Sequence, residues 1–139
     1  METLIVLTNL PDRESAAKLA RHLVEERLAA CVNVLESCES TYHWQGKIET
    51  AREVPVLIKS TVARYAELER AIKAAHPYEL PEIIAVPAAA GLPAYIEWVE
   101  RETIRRAIDN AGGVKKDAAE LMGISQRALS YYLSKYRID

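Results

Sequence analysis

The side chains able to act as nucleophiles, bases or metal ligands are few and widely spaced in this chain of 139 residues, which holds two cysteines and three histidines. A Cys31 thiol beside His43 or His76 would make a nucleophile and base, but such a pair must lie within hydrogen-bond reach and nothing in the spacing puts them there. No GxSxG elbow, glycine-rich phosphate loop, CxxC or HExxH occurs, so no catalytic residue and no structural zinc site is expected. If Cys31 and Cys38 share one extended strand, seven residues at about 3.3 Å each place them roughly 23 Å apart, beyond disulfide reach. Two unpaired thiols suit a reducing compartment. With no basic n-region at the start and no run of roughly 20 apolar residues, the expectation is a cytoplasmic protein without a membrane partner.

The second chemistry-bearing group is a surface. The run AAELMGISQRALSYYLSKY, Ala118 to Tyr136, describes two short amphipathic helices around a glycine turn. One helix runs from about Val114 to Met122, Gly123 makes the turn, and Ser125 caps the next helix, with Ile124 and Leu129 spaced as a hydrophobic staple. Ala128, Leu129, Tyr132, Leu133 and Tyr136 then face inward. Gln126, Arg127, Ser130, Tyr131 and Ser134 face outward, and such a face near a helix N-terminus is what major-groove reading requires. Lys115, Lys116 and Lys135 would add phosphate contacts.

Charge divides the same way. Residues 1–103 carry 11 Lys and Arg against 16 Asp and Glu, whereas residues 104–139 carry 7 against 4. An acidic body with a basic tail directs any polyanion to the tail. The composition, 50% hydrophobic and 27% charged, is that of a globular chain. Its length fits one domain of ordinary size plus an appendage too small to bury a large core alone.

The elements that must position these groups follow from periodicity. Leu4–Leu7 is a short apolar run, the pattern of a strand buried on both faces. A helix opens at Pro11–Asp12, carries Ala16, Leu19, Ala20, Leu23 and Val24 on one stripe, and ends near Arg27. Cys31 to about Leu35 alternates, Thr41–Glu49 flanks a Gln45-Gly46 turn, and Val54–Ile58 supplies the antiparallel partner. Ala63–Ala75 is helical and stops at His76 before Pro77. Ile83–Val86, bracketed by Pro81 and Pro87, belongs where a missing backbone donor is harmless. The order strand, helix, strand, strand, helix, strand, helix is the split β-α-β, ferredoxin-like arrangement of an α+β domain. A last helix begins near Leu92. Ile104, Ala107, Ile108 and Ala111 continue it in phase with no breaker after Tyr95, so one helix of about 30 Å should carry the junction between body and tail.

The motifs Leu28-Ala29-Ala30-Cys31-Val32, Tyr42-His43-Trp44-Gln45-Gly46-Lys47, Lys59, His76-Pro77-Tyr78-Glu79-Leu80-Pro81-Glu82-Ile83, and Tyr95 with Trp98 resemble the CutA divalent-cation tolerance family over about residues 3–103. The resemblance implies a ferredoxin-like, PII-like subunit in a tight homotrimer, with a cleft between subunits. Lys59, Tyr78 and Glu82 would line that cleft and hold a small anion or metabolite, or else form an interfacial ion pair with a hydrogen-bonded tyrosine. Copper ligands proposed in the family are a cysteine at the end of the first strand and two successive histidines before Pro-Tyr. Here Thr8 and Ala75 occupy two of those three places. His76 remains, so any divalent metal (copper) should bind weakly; the alternative is a histidine hydrogen-bonded where the helix stops. Cys31 reads as a small buried hydrophobe.

Val99 to Gly113 and the AAELMGISxRALxxxLxKY core resemble the Fis-type helix-turn-helix at the end of NtrC-like activators. Tyr131, Tyr132 and Ser134 stand where that family often has Arg or Lys. The expected organisation is therefore a body over 1–103 and an all-α DNA-binding tail over 104–139. The expected function is an oligomeric regulator responding to a metal or small ligand; the alternative is a divalent-cation tolerance protein whose tail only mediates oligomerisation. Fis-type pairing through Ile104, Ala107, Ile108 and Ala111 would join two trimers into a hexamer.

Overall fold

The structure, a computed structural model, describes residues 2–138. Ten elements follow one another: β1 (Thr3–Leu10), α1 (Arg13–Glu25), β2 (Cys31–Val34), β3 (Cys38–Trp44), β4 (Lys47–Thr61), α2 (Val62–Ala75), β5 (Ile84–Pro87), α3 (Pro93–Asn110), α4 (Lys115–Met122) and α5 (Gln126–Tyr136). The antiparallel sheet runs β2-β4-β1-β5, and β3 pairs with the outer part of β4. This is the ferredoxin-like topology expected of the body.

β4 is the spine, and its length departs from the Val54–Ile58 expected. Val54, Val56, Ile58 and Ser60 alternate into the core, whereas residues 47–50 are exposed and held by hairpin pairing with β3. Polar alternation in that outer segment hid its strand character, because the ladder there is backbone hydrogen bonding with little burial. The hairpin closes through Gln45 at φ 51° and Gly46 at φ 77°, the two left-handed positions that a tight two-residue turn demands.

One face of the sheet makes the core. Leu4, Val6 and Leu10 of β1 and Val54, Val56 and Ile58 of β4 pack with Ala16, Leu19 and Leu23 of α1 and Leu68 and Ile72 of α2. Each of these Leu, Val and Ile side chains contributes about 1.5–3 kcal/mol of transfer free energy as an upper bound. The opposite face holds Ile5 and Leu7, which are only half-buried within the chain, so β1 is not buried on both faces as the apolar run suggested.

Local chemistry sets the helix ends. Asp12 caps α1, its carboxylate accepting the Ser15 N–H at 2.7 Å, and these hydrogen bonds hold its pKa below the ordinary value. Past the end of α1, Arg27 sits at φ 53° and its guanidinium pairs with Glu102 of α3 at 2.5 Å. β5 pairs only with β1 and ends in Pro87, the edge position its prolines required.

α3 is continuous for 18 residues, about 27 Å. Its first half belongs to the body: Val99, Glu100 and Thr103 are buried, and the Thr103 and Thr61 hydroxyls share a hydrogen bond at 3.3 Å. Its second half closes another core, where Ile104 packs with Ala118, Ala119 and Met122 of α4 and Leu129, Leu133 and Tyr136 of α5. Ile108, Ala111, Ile124 and Tyr132 flank this cluster, as does Ala63 from α2. The stripe invoked for pairing two tails is therefore largely consumed within one chain. Ile104 is fully buried and Ile108 and Ala111 pack on the same core, while the Ala107 side chain lies outside the described residues.

Candidate functional site

The tail builds its outer face through two caps and one turn. Gly123, at φ 67°, ends α4 in the left-handed conformation, its N–H reaching the Ala119 and Glu120 carbonyls. Two residues later the Ser125 hydroxyl accepts the Ala128 N–H at 3.0 Å and starts α5. Leu129, Leu133 and Tyr136 then point inward, and Gln126, Arg127, Ser130, Tyr131 and Ser134 are all exposed, as the periodicity implied. Lys115 and Lys116, at the start of α4, are exposed too. Lys135 is exposed with its Nζ 5.3 Å from the Tyr136 ring centroid.

Three tyrosines run along α5. The rings of Tyr131 and Tyr132 meet edge to face at 5.3 Å, and Tyr132 stacks on Tyr136 at 6.1 Å. Burial raises the pKa of Tyr132, and the neighbouring Glu100 carboxylate raises it further. Burial likewise raises the pKa of Glu100 itself, opposed by positive charge that includes Lys135. Glu100 lies in the body half of α3, so α5 meets the body through this seam as well as through the tail core.

In the body, polar groups gather at the C-terminal end of β1. His76 Nε2 lies 2.7 Å from the Asn9 carbonyl, and Nδ1 accepts the Tyr78 N–H at 3.2 Å. These partners require the neutral Nε2–H tautomer, and both ring nitrogens are engaged. The ring also leans on Tyr78 at 4.8 Å. Asn9 Nδ2 donates to Glu82 at 2.8 Å. The Tyr78 pKa is pushed up to about 12 by burial first and then by the negative charge of the Glu53 carboxylate, to which the phenol donates a hydrogen bond. Asn9 and Glu53 carried no sequence signal, since a single Asn or Glu in a strand reads as solvated. Tyr78 and Glu82 join this group, but Lys59 does not: its ammonium donates to Asn33 Oδ1 on β2, and in the sheet it stands opposite Ile5, four residues before Asn9.

The donor set does not fit a copper site. Thr8 is 1% exposed, on the core side of β1, Ala75 has no donor, and His76 would have to give up a hydrogen bond to bind metal. Among the described residues no group of three His, Cys, Asp or Glu side chains is placed to hold a metal ion. Cys31 and Cys38 are free thiols of intermediate exposure, Cys31 beside Tyr95 and not fully buried as expected. Cys31 pairs with Lys59 along β4 and His43 with Ile48, eleven residues away, so no thiol–imidazole pair forms there.

The open face of the sheet is apolar. Ile5 pairs with Val86, and Leu7 with Ile84 and Leu57. Ile84 and Val86 are exposed, as are Tyr42, Trp44 and Ile48 on the β3–β4 arm. Tyr42 and Trp44 share one face of the arm and Ile48, opposite His43, lies on the other; exposed apolar side chains beside the half-buried Ile5 and Leu7 mark the open face as an interaction site. Among the described residues no helix is long and apolar enough to cross a membrane.

Comparison with known proteins finds two matching family models. A family model described as CutA1 divalent ion tolerance protein matches residues 4–102, and one described as bacterial regulatory protein, Fis family, matches residues 95–136. The divalent-cation tolerance protein CutA of Thermus thermophilus is 42% identical over 99 residues, 71% of this chain and 96% of that protein. The chloroplastic protein CutA of Arabidopsis thaliana is 38% identical over 101 residues, 73% of this chain but 56% of its own length. Among solved structures, CutA from Xylella fastidiosa superposes with a TM-score of 0.72 at 44% identity, covering 74% of this chain and 99% of that one. The periplasmic divalent cation tolerance protein CutA of Archaeoglobus fulgidus gives 0.70 at 34% identity, covering 73% and 98%.

Proposed function

This chain belongs to the CutA1 divalent ion tolerance family through residues 4–102, and from that premise we propose that its body serves divalent-cation tolerance as an assembly of identical subunits. The apolar open face and the exposed arm are what support assembly, since an isolated subunit would leave Ile84, Val86, Tyr42 and Trp44 in water. A homotrimer is the assembly that the family resemblance implies. Copper, if bound at all, binds weakly, because the positions of the expected ligands hold Thr8, Ala75 and an engaged His76.

A second activity is proposed for the tail: sequence-specific DNA binding, which would make the protein a cytoplasmic regulator in which a metal or small-ligand response at the body is linked to DNA. One observation carries it. Most of the apolar side of α4 and α5 is spent on a core of their own, and, Tyr131 apart, what α5 turns outward is polar and exposed. A helical tail built only for oligomer contacts would keep an apolar stripe outward, and the stripe available for that, Ile104 with Ile108 and Ala111, points inward. The Fis-family match over residues 95–136 supports the same reading. A DNA-binding tail also favours the cytoplasm over the periplasmic or chloroplastic settings named for some relatives.

The test is a mobility shift of the full chain on the organism's own fragmented DNA at two salt concentrations, repeated with Arg127→Ala. Retention that weakens steeply with salt and loses sequence preference in the variant supports a reading helix. No retention at about 50 mM salt would return the tail to an oligomerisation role.

A further inference from the structure

We propose that Tyr131 is a specificity-determining residue that reads the 5-methyl group of a thymine, one to three base pairs from a guanine read by Arg127. This rests on the DNA-binding reading of the tail and deepens it by naming part of the sequence recognised. Gln126, Arg127, Ser130, Tyr131 and Ser134 form one outward stripe on α5. Four of the five are polar residues of the kind that bind base edges or phosphates. Tyr131 is the exception, 61% exposed, and its ring is the large apolar surface on that stripe. Among the described residues its ring contact is the edge contact to Tyr132, which is anchored by its stack on Tyr136. That contact limits the ring's freedom and lowers the entropy lost on binding.

In the major groove the apolar group a base pair offers is the thymine methyl, and an aromatic or methyl side chain is its complement. Arg127 carries the bidentate guanidinium that matches guanine O6 and N7. Tyr131 follows Arg127 by four residues, about 6 Å along the helix axis, which is roughly two base-pair steps at about 3.4 Å. The two contacts should therefore appear in one half-site, separated by about that distance. The phenol oxygen at the ring's far end could instead reach a phosphate, which would fix position without reading sequence. Two substitutions separate these roles. Tyr131→Phe removes the hydroxyl and keeps the ring, and replacing thymine by uracil in the DNA removes only the methyl.

The experiment is an in-vitro selection of duplex DNA with the full-length protein at about 50 mM salt, followed by affinity measurements on the selected site and its uracil analogue. We expect a thymine one to three base pairs from a guanine, and a loss of about fourfold on uracil substitution, the worth of one buried methyl. Tyr131→Phe should keep that ratio. Tyr131→Ala, an exposed position whose loss leaves the tail core and its circular dichroism intact, should bind thymine and uracil sites equally. Selected sites without that thymine, equal binding of thymine and uracil sites by the unmodified protein, or loss of discrimination in Tyr131→Phe would each overturn the inference and leave DNA binding standing. Failure to retain any DNA would overturn the DNA-binding reading and this inference with it.

Discussion

Truncating Leu129 to alanine should unfold the tail and spare the body. Leu129 is fully buried at the centre of the cluster formed by Ile104, Ala118, Ala119, Met122, Leu133 and Tyr136. Leu→Ala at such a site costs about 2–5 kcal/mol, the lost transfer free energy plus the cavity left behind. The tail beyond Thr103 is short, and segments of about 40 residues or fewer seldom hold themselves folded with much to spare. A loss of this size therefore consumes most or all of the local stability. The body should not feel it, because its core cluster of Leu4, Val6, Val56, Ile58, Leu68 and their neighbours shares no residue with the tail cluster. Hydrogen exchange read by mass spectrometry on peptic peptides gives both answers at once. Peptides from 110–138 should lose protection by about two orders of magnitude or more, while those of β1, β4 and α1 keep theirs. The exposed control Ser130→Ala should stay within about 0.5 kcal/mol of the parent. If β1 and β4 lose protection in step with α4 and α5, the two cores fold as one unit and the reasoning fails.

Other perturbations follow from the same geometry. His76→Ala should lower stability by about 1–3 kcal/mol in chemical denaturation, by removing the partner of the Asn9 carbonyl and the acceptor of the Tyr78 N–H, and should leave copper affinity in calorimetry unchanged. A fall in copper affinity would mean the imidazole leaves those bonds to bind metal. Glu100 binds its proton more tightly in the folded state than in the unfolded one, so this group adds stability as pH falls toward its ordinary value and withdraws it as pH rises through the raised folded value. Glu100→Gln should accordingly raise the melting temperature at pH 8 more than at pH 4.5, and an equal shift at both would remove the burial argument. Residues 1–103 alone should stay folded and self-associated in sedimentation, since the open face and arm lie within them; a monomer would refute assembly through that surface. Ile104→Asp with Ile108→Asp should melt α4 and α5 and not simply split a hexamer, with loss of helical circular dichroism as the readout.

The features legible in the sequence are those whose signal is local. The helix start at Pro11–Asp12, the Ser125 cap, the Gln45-Gly46 turn, the His76-Pro77 stop and the edge placement of the proline-flanked strand all depend on a few neighbouring residues. So does the inward and outward division of α5. The outer half of β4 was hidden because its pairing leaves no apolar alternation. The polar cluster was hidden for another reason: Asn9, Glu53, His76 and Glu82 come from four separate stretches, and only the sheet register and the turn after α2 bring them together. Lys59 carries the family motif but stands apart from this group within one chain, donating to Asn33 on the neighbouring strand.

If the tail binds DNA as proposed, the joint between body and tail decides what symmetry that DNA can meet. α3 passes unbroken through the boundary, with Thr103 tied to β4's last residue and Ile104, the next residue, at the heart of the tail core. Ala63 of α2 packs on that core, and Glu100 lies close to Lys135 and Tyr132 of α5. A tail held this way cannot swing freely on a linker, so its reading face takes its direction from the body. In a three-fold assembly the three faces would then point along directions related by 120°, not by the two-fold that relates palindromic half-sites. Because Ile104, Ile108 and Ala111 are already committed inward, pairing of tails from different assemblies through that stripe has little apolar surface to draw on. On the proposed DNA-binding reading, the half-site and not the palindrome would be the natural unit of recognition, with avidity drawn from several half-sites reached by one assembly.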